Sequence, residues 1–316
     1  MWMRSTWSLG VRREGLEIDH RVAAEIRQES RIMKRIQITH KTEYYYHTPV
    51  IFGPHRALVR PREGHDVHIE SSVLEIEPSG QVRWHRDIYG NSIALITFAG
   101  PGTRLRVFSN LVVAHYLENP FDFIIDPNAL LYPFQYPAYE QTELIPFRLS
   151  SYPRDGDDLR LWLSALYSPG QLINTLDLLK GLNTHVHKSF RYLGREEPGV
   201  QSPSETIALG TGSCRDYAVL MMEAARHWGF GARFVTGYIQ MNDDQHGATH
   251  AWTEIYIPGA GWLGFDPTNN VFTGAQHVSI AVARDADRAS PLSGAWQGPG
   301  DAFDRMEVSV KVVQCK

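Results

Sequence analysis

The sequence predicts an α+β fold in which an N-terminal antiparallel β-sandwich-like domain precedes an α+β core. Two observations predict it. Between residues 36 and 116, short runs of alternating apolar and polar residues are separated by turn signals such as Pro-Ser-Gly at 78–80, and no segment has helical periodicity. After residue 157 the apolar residues first recur at helical spacing and then alternate again, and helices followed by antiparallel strands are the α+β pattern.

Composition limits the class of protein and its partners. The chain has 316 residues, 43% hydrophobic and 21% charged, which is typical of globular proteins and long enough for two domains. The net charge is −4 and no block of basic residues is present, so we expect no nucleic-acid partner. No apolar run has the length of a membrane span, and we expect neither a membrane partner nor a cofactor. Cys214 and Cys315, the two cysteines, do not make a disulfide framework, and we expect a cytoplasmic protein.

Four segments are predicted along the chain. Residues 1–33 lack an apolar stretch of signal-peptide length, and we expect a non-native or disordered extension with Met33 as the native start. Residues 34–116 form the β domain. Residues 117–153 contain six prolines and many aromatic residues, which predicts a packed connector without regular structure. Residues 154–316 form the second domain.

Within the second domain the pattern predicts helices first and strands afterwards. A short helix is expected near 157–168, a longer one from about 172 to 190, and a third from 214 until two glycines stop it after residue 228. Alternating strands follow, and the last alternating run, at 306–314, is expected to close the domain.

Cys214 opens the third helix in a setting that favours reactivity. It follows Gly-Thr-Gly-Ser, and glycines allow the sharp turn that presents a sulfur at a helix N-terminus. The thiolate is the nucleophilic form, and free cysteine has a pKa of about 8.5, so the surroundings must lower it. A helix N-terminus and a nearby imidazolium both do so. A cysteine in a helix is more often a small core residue, but the two glycines favour catalysis.

His250 and Asp266 are the expected partners of this thiol. His250 begins a strand, and Asp266 ends the next one, where a proline stops the pairing. In an antiparallel pair of strands, the numbers of any two paired residues add up to the same value, the register sum. His250 and Asp266 can share a face only if this sum is even, because the sum of their own numbers is even. A four-residue loop would give an odd sum, so the sequence predicts a three-residue loop, Gly259–Gly261, or a bulge.

These residues also carry a resemblance to a known family. The stretches "GSCRDYA", "HAWTEIYIPGAGWLGFDPTN" and, further upstream, "LVRPR" and "DIYGN" resemble the bacterial transglutaminase-like superfamily with its preceding N-terminal β domain. The resemblance implies a papain/transglutaminase-like core and a catalytic triad of Cys214, His250 and Asp266. Residues 282–294 resemble the tail motif of one bacterial branch, except that Ala286 stands where an aromatic residue is usual.

The resemblance implies thiol-dependent acyl transfer at amide bonds, through a thioester intermediate. Hydrolysis, as in a peptidase or amidase, is the main expectation, and a glutamine transamidase uses the same three residues. The substrate would be a peptide or protein that carries the amide. A non-catalytic binding module that retains the fold is a further alternative, which the intact triad disfavours.

Less specific interpretations stand beside these. A zinc site built from Cys214, His246, His250 and Asp266 is an alternative, but a thiol at a helix N-terminus is unusual for structural zinc, and we expect no metal. Arg215 and Asp216 are either an exposed pair at the helix start or part of the cleft wall. The sequence leaves the oligomeric state open.

Overall fold

The computed structural model describes residues 33–116, 119–195, 197–240 and 249–315. The expected extension at 1–33 lies outside these ranges apart from Met33, and so does His246. No helix among the described residues is both long enough and apolar enough to span a bilayer.

The N-terminal region is an antiparallel sheet, as the alternating pattern predicts. Its first five strands follow one another along the chain: β1 (Lys34–Arg60), β2 (Val67–Glu77), β3 (Gly80–Arg86), β4 (Ser92–Phe98) and β5 (Pro101–His115). Their order in the sheet is β2-β5-β1-β4-β3. Strand β1 is long enough to serve both halves of the sheet, because its first half pairs mainly with β5 and its second half with β4.

The connector is more regular than predicted. It contains a 3₁₀ turn (Pro127–Ala129), the short strand β6 (Leu131–Tyr132) and helix α1 (Ala138–Arg148). The prediction of a segment without regular structure is wrong because a proline interrupts a helix only where its missing N–H and its ring matter, in the helix interior. Pro137 is the N-cap of α1, and Pro146 lies in its last turn, where the missing N–H removes one intrahelical bond just before the helix ends.

Four helices follow, and three of them match the helices predicted from periodicity. They are interleaved with two-residue strands: α2 (Gly156–Leu163), β7 (Ile173–Asn174), α3 (Thr175–Ser189), β8 (Arg191–Tyr192), α4 (Pro203–Leu209), β9 (Thr211–Gly212) and α5 (Cys214–His227). Helix α4 was not predicted, although Ser202 and Glu205 form the capping box that its sequence encodes.

The core sheet has five antiparallel strands. They are β10 (Gly231–Ile239), β11 (Thr249–Ile257), β12 (Gly261–Asp266), β13 (Val271–Phe272) and β14 (His277–Ala283), in the order β13-β12-β11-β10-β14. Helix α5 packs on one face of the sheet, where the Thr253 hydroxyl donates a 2.7 Å hydrogen bond to the Ala218 carbonyl. The side chains between helix and sheet form the largest hydrophobic cluster of the described chain.

The C-terminal strands do not close the core sheet. Strands β15 (Leu292–Gln297) and β16 (Phe303–Cys315) both pair antiparallel with β1 and so complete the N-terminal sheet. This differs from the expected closing strand of the second domain. The alternating pattern at 306–314 identified a strand with one buried face, but periodicity does not specify the partner strand.

The two sheets contact each other through apolar side chains and a polar anchor. The apolar cluster combines residues of both sheets: Ile36, Ile38, Val67, Ile69, Leu111, Val113, Val310 and Val312 from the first, and Tyr238, Val278 and Ile280 from the second. Asn91 is fully buried and bonds both backbone groups of Val282, accepting from its N–H at 2.9 Å and donating to its carbonyl at 2.7 Å. The N-terminal sheet is therefore a fixed support for β14.

Candidate active site

The glycines before Cys214 have two different structural roles. Gly210 has a φ of +65° and ends α4 in the left-handed region, where a side chain would be strained. At Gly212 a Cβ atom would lie 3.0 Å from the Cβ of Asp216 and 3.2 Å from the Tyr217 ring. Ser213 is the N-cap of α5, so Cys214 is the first helical residue, with a side chain that is nearly buried. The thiol thus lies at the N-terminus of α5, as predicted.

Asp216 anchors the segment before the helix and does not line a cleft. It is fully buried, and its carboxylate accepts hydrogen bonds from the backbone N–H and hydroxyl of Ser213 at 2.8 and 2.7 Å. It also accepts from the Gln201 N–H at 2.7 Å and forms an ion pair with Arg195 at 3.1 Å. Asp216 is therefore neither exposed nor part of a cleft wall, the two positions that the sequence left open.

His250 and Asp266 lie together, as the parity argument required. Ile257 pairs with Gly261, so the register sum is even and the loop has three residues. The loop is Pro258–Ala260, one residue earlier than the predicted Gly259–Gly261. The Nε2 atom of His250 lies 2.8 Å from Oδ2 of Asp266, and both residues are buried.

The Asp266 carboxylate is surrounded by nitrogen donors. Besides His250, its Oδ2 accepts from the side-chain amide of Asn269 at 2.7 Å and from Nε2 of His277 at 3.1 Å. Its Oδ1 accepts from the backbone N–H groups of Thr268 and Asn269 at 3.0 and 3.2 Å. Burial by itself would raise the pKa of Asp266, but these hydrogen bonds hold it well below its usual range. The group is therefore a carboxylate throughout the neutral range.

His250 links the carboxylate to the thiol. Burial acts to lower the pKa of His250, but hydrogen bonds to Asp266 and Cys214 and their negative charges outweigh it, so the pKa is raised above its usual value. With Nε2 directed at Asp266, Nδ1 is the ring nitrogen left for the sulfur. The arrangement is the one that stabilises a thiolate next to an imidazolium.

Comparison with protein-family models gives two matches. Residues 36–114 match the model of the bacterial transglutaminase-like N-terminal region, and residues 171–267 match that of the transglutaminase-like superfamily. Together they cover more than half of the chain, and the second includes Cys214, His250 and Asp266. The chain belongs to the transglutaminase-like superfamily.

The chain is also similar to other proteins over most of its length. An uncharacterized protein of Mycobacterium tuberculosis is 26% identical over 280 residues, which are 82% of this chain and 87% of the relative. One of Mycobacterium leprae is 24% identical over 294 residues, which are 85% of this chain and 95% of the relative. The crystal structure of a candidate cysteine protease from Cytophaga hutchinsonii has a TM-score of 0.68 at 21% identity and covers 90% of this chain and 91% of its own. That likeness shows a shared fold.

Tyr192 is a residue of this transglutaminase-like site that the sequence analysis missed. Its ring is half exposed, and burial together with the neighbouring Cys214 thiol raises its pKa to about 12. It reaches the thiol because β8 pairs in parallel with β9, which sets Tyr192 opposite Gly212. No local pattern marks a two-residue strand, so the sequence contained no signal for it.

Asn269 and His277 were also missed. Asn269 follows Asp266 by three residues, the spacing at which an aspartate accepts backbone N–H bonds in a turn, so its position was detectable. His277 begins β14 and comes to Asp266 only through long-range pairing. The Trp252 ring packs edge-on against His277 at 5.3 Å, and it fits only because Gly237 has no side chain.

His250, Asp266 and His277 are close enough to be considered as metal ligands, since one donor atom of each lies within 4.8 Å of the others. The hydrogen bonds argue against a cation at this point. Oδ2 of Asp266 already accepts three N–H donors, and the amide nitrogen of Asn269, a donor, lies 3.5 Å from Nε2 of His250. Cys214 is not part of this group, so the zinc site considered from the sequence is not assembled by the described residues.

The tail segment is remote from His277 along its strand. Strand β14 runs from His277 to Ala283, so Arg284 and Ala286 follow its opposite end. Arg284 donates to the Pro146 carbonyl at 2.8 Å, which fixes the end of α1. The segment lines a cavity of about 460 Å³ beside α5. The Arg284 hydrogen bond links the segment after β14 to α1.

Proposed function

We propose that the protein catalyses acyl transfer at amide bonds with Cys214 as nucleophile, His250 as acid and base, and Asp266 as the group that orients His250. One observation carries this proposal: a buried carboxylate lies 2.8 Å from an imidazole whose other side contacts a thiol at a helix N-terminus. The fold and family membership support it, because that family uses a thiol.

The chemistry follows from the geometry. The Cys214 thiolate attacks the amide carbonyl carbon, and the electron pair of the carbonyl moves onto oxygen, where backbone N–H groups such as that of Cys214 can stabilise it. When the C–N bond breaks, His250 gives its proton to the departing amine, and a thioester remains. His250, now neutral, takes a proton from the second nucleophile as that attacks the thioester. Asp266 keeps Nε2 protonated and stabilises the charged ring.

Water is the second nucleophile in this proposal, so the reaction is hydrolysis. Water reaches a thioester without a dedicated binding site, whereas transamidation requires a second site that holds an amine and excludes water. The substrate class is a peptide or protein with an accessible amide, either in its backbone or in a glutamine side chain.

A product analysis tests the proposal. The protein is incubated with peptide libraries that contain glutamine, with and without a primary amine, and the products are weighed by mass spectrometry. We expect either backbone cleavage with the gain of one water, or conversion of glutamine to glutamate, in which water is taken up and ammonia released. These products should be absent with Cys214→Ala and retained with Cys315→Ala, the matched thiol control. Products that incorporate the amine would replace hydrolysis by transamidation.

Thiol alkylation tests the nucleophile without a known substrate. We expect iodoacetamide to label Cys214 near neutral pH faster than a model thiol, because a helix N-terminus and an adjacent imidazolium both favour the nucleophilic form of a cysteine. Equal rates for Cys214 and the model thiol would remove the case for an activated nucleophile and with it the proposed function.

A further inference from the structure

His277 is a second buried imidazole at the proposed acyl-transfer site. Its side chain is 4% exposed, and its Nε2 lies 3.1 Å from the same Asp266 oxygen that His250 contacts at 2.8 Å. The proposed reaction uses only one imidazole, since the ring of His277 faces the carboxylate and not the thiol. A buried group in this position needs a different role.

The tautomer of His277 follows from its other nitrogen. The backbone N–H of Gly274 points at Nδ1 from 3.4 Å, so Nδ1 is the acceptor and Nε2 carries the proton. His277 therefore donates to Asp266. The His277 backbone is fixed as well, because its N–H donates to the Gly274 carbonyl at 2.8 Å.

The N-terminal sheet reaches the same residue. His115, at the end of β5, is buried and lies with Nε2 3.1 Å from the His277 carbonyl oxygen. A carbonyl only accepts, so this nitrogen of His115 is the donor. A chain of hydrogen bonds thus runs from β5 of the N-terminal sheet through His277 to Asp266 and on to His250.

We propose that His277 is a positioning residue for Asp266, and that the N-terminal sheet holds it in place through His115. The inference rests on the proposed function, because Asp266 matters only if His250 works on Cys214. The N-terminal sheet then has a part in the reaction, because it holds in place the Asp266 carboxylate that orients His250. Without the His277 donor, Oδ2 of Asp266 keeps two of its three N–H donors, so the carboxylate is held less firmly towards His250 and the thiolate–imidazolium pair becomes less populated.

The experiment measures the pH profile of Cys214 alkylation by iodoacetamide in the full chain. His277→Leu removes the donor and retains bulk, whereas His277→Gln keeps an amide N–H that can reach Asp266. We expect the rate at pH 6 to fall about tenfold in His277→Leu, as for other residues that orient a functional ligand, with the profile shifted to higher pH. His277→Gln should restore most of the rate.

The N-terminal sheet offers a matched pair of variants. His115 and His40 are both buried histidines of that sheet, and a ring nitrogen of each lies within hydrogen-bond distance of the core sheet; that of His40 lies 2.8 Å from the Tyr238 hydroxyl. His115→Leu should shift the alkylation profile in the same direction as His277→Leu, by a smaller amount. His40→Leu should leave it unchanged.

Loss of folding in the leucine variants does not remove the test. Nitrogen-15 NMR of the wild-type protein reports the tautomer directly, and we expect the neutral His277 ring to carry its proton on Nε2. A proton on Nδ1, or equal alkylation profiles for wild type, His277→Leu and His277→Gln, would overturn the inference. An unactivated thiol in the wild-type protein would instead overturn the proposed function, so the two failures are distinguishable.

Discussion

Asp266 is a negative charge with no exposed surface, and nitrogen donors replace the water around it. Five hydrogen bonds reach its two oxygens, three on Oδ2 and two on Oδ1. A buried carboxylate is tolerated only when its charge is compensated in this way. An asparagine side chain would not fit this site in either orientation, because its NH2 group would face an N–H donor in both.

Replacing Asp266 by Asn should therefore lower activity strongly. We expect kcat to fall by roughly 10- to 10³-fold with little change in KM, less than in a serine triad because a thiolate is intrinsically nucleophilic. The alkylation profile of Cys214 should move to higher pH, since the uncharged amide stabilises imidazolium less. The exposed Asp287 provides the control, Asp287→Asn, which should match wild type. An unchanged rate and profile in Asp266→Asn would leave a Cys–His dyad as the catalytic unit.

At the scale of elements, the start of α5 depends on one side chain. Asp216 completes the capping box with Ser213 and at the same time holds Gln201 and Arg195 of the preceding segment. Because Cys214 lies between these contacts, the capping interaction also determines where the sulfur is presented. The glycines allow the turn, and Asp216 keeps it in one conformation.

Asp216→Ala should destabilise the fold and the site together. Loss of a helix cap costs about 1 kcal/mol and loss of one partner in a buried ion pair more, so we expect a decrease of about 2–4 kcal/mol in the free energy of unfolding, measured by urea denaturation. Asp157 is also an acidic residue in the first turn of a helix, α2, but it is almost fully exposed. Asp157→Ala should show no measurable change, and a similar loss in both variants would contradict the role given to Asp216.

The elements that the sequence predicted are those whose information is local. Cys214, His250 and Asp266 stand in short segments with their own signals: glycines before a helix, a strand start, and a strand ended by proline. Even the pairing of the two strands that contain His250 and Asp266 could be restricted to registers with an even sum of paired residue numbers, because the hairpin loop between them is short. His277 and Tyr192 could not be found in this way, because β14 and β8 bring them to the site through pairings with distant strands. The partner of β16 was missed for the same reason.

Two buried histidines lie where the two sheets of the molecule contact each other. His40 is 3% exposed and His115 is 2% exposed, and both contact the core sheet. Burial disfavours the charged ring, so it lowers the pKa of His115 and lowers that of His40 to about 4. The joined sheets are thus sensitive to acid at these two buried histidines.

This burial predicts how stability depends on pH. In the unfolded chain His40 takes up a proton near its ordinary pKa of about 6.5, whereas in the folded protein it does so only near pH 4. Between these values the unfolded state binds one more proton, so the free energy of unfolding falls by about 1.4 kcal/mol per pH unit, and by about 3 kcal/mol in total. The contribution is complete above pH 6.5 and is lost as the pH falls towards 4.

Urea denaturation at intervals from pH 7 to pH 4.5 measures the dependence of the free energy of unfolding on pH. His40→Gln should reduce it by about one proton, while His85→Gln, at an exposed histidine of β3, should leave it unchanged. Equal slopes for wild type and His40→Gln would show that His40 takes up its proton at the same pH in the folded and unfolded protein, against the effect of its burial between the two sheets.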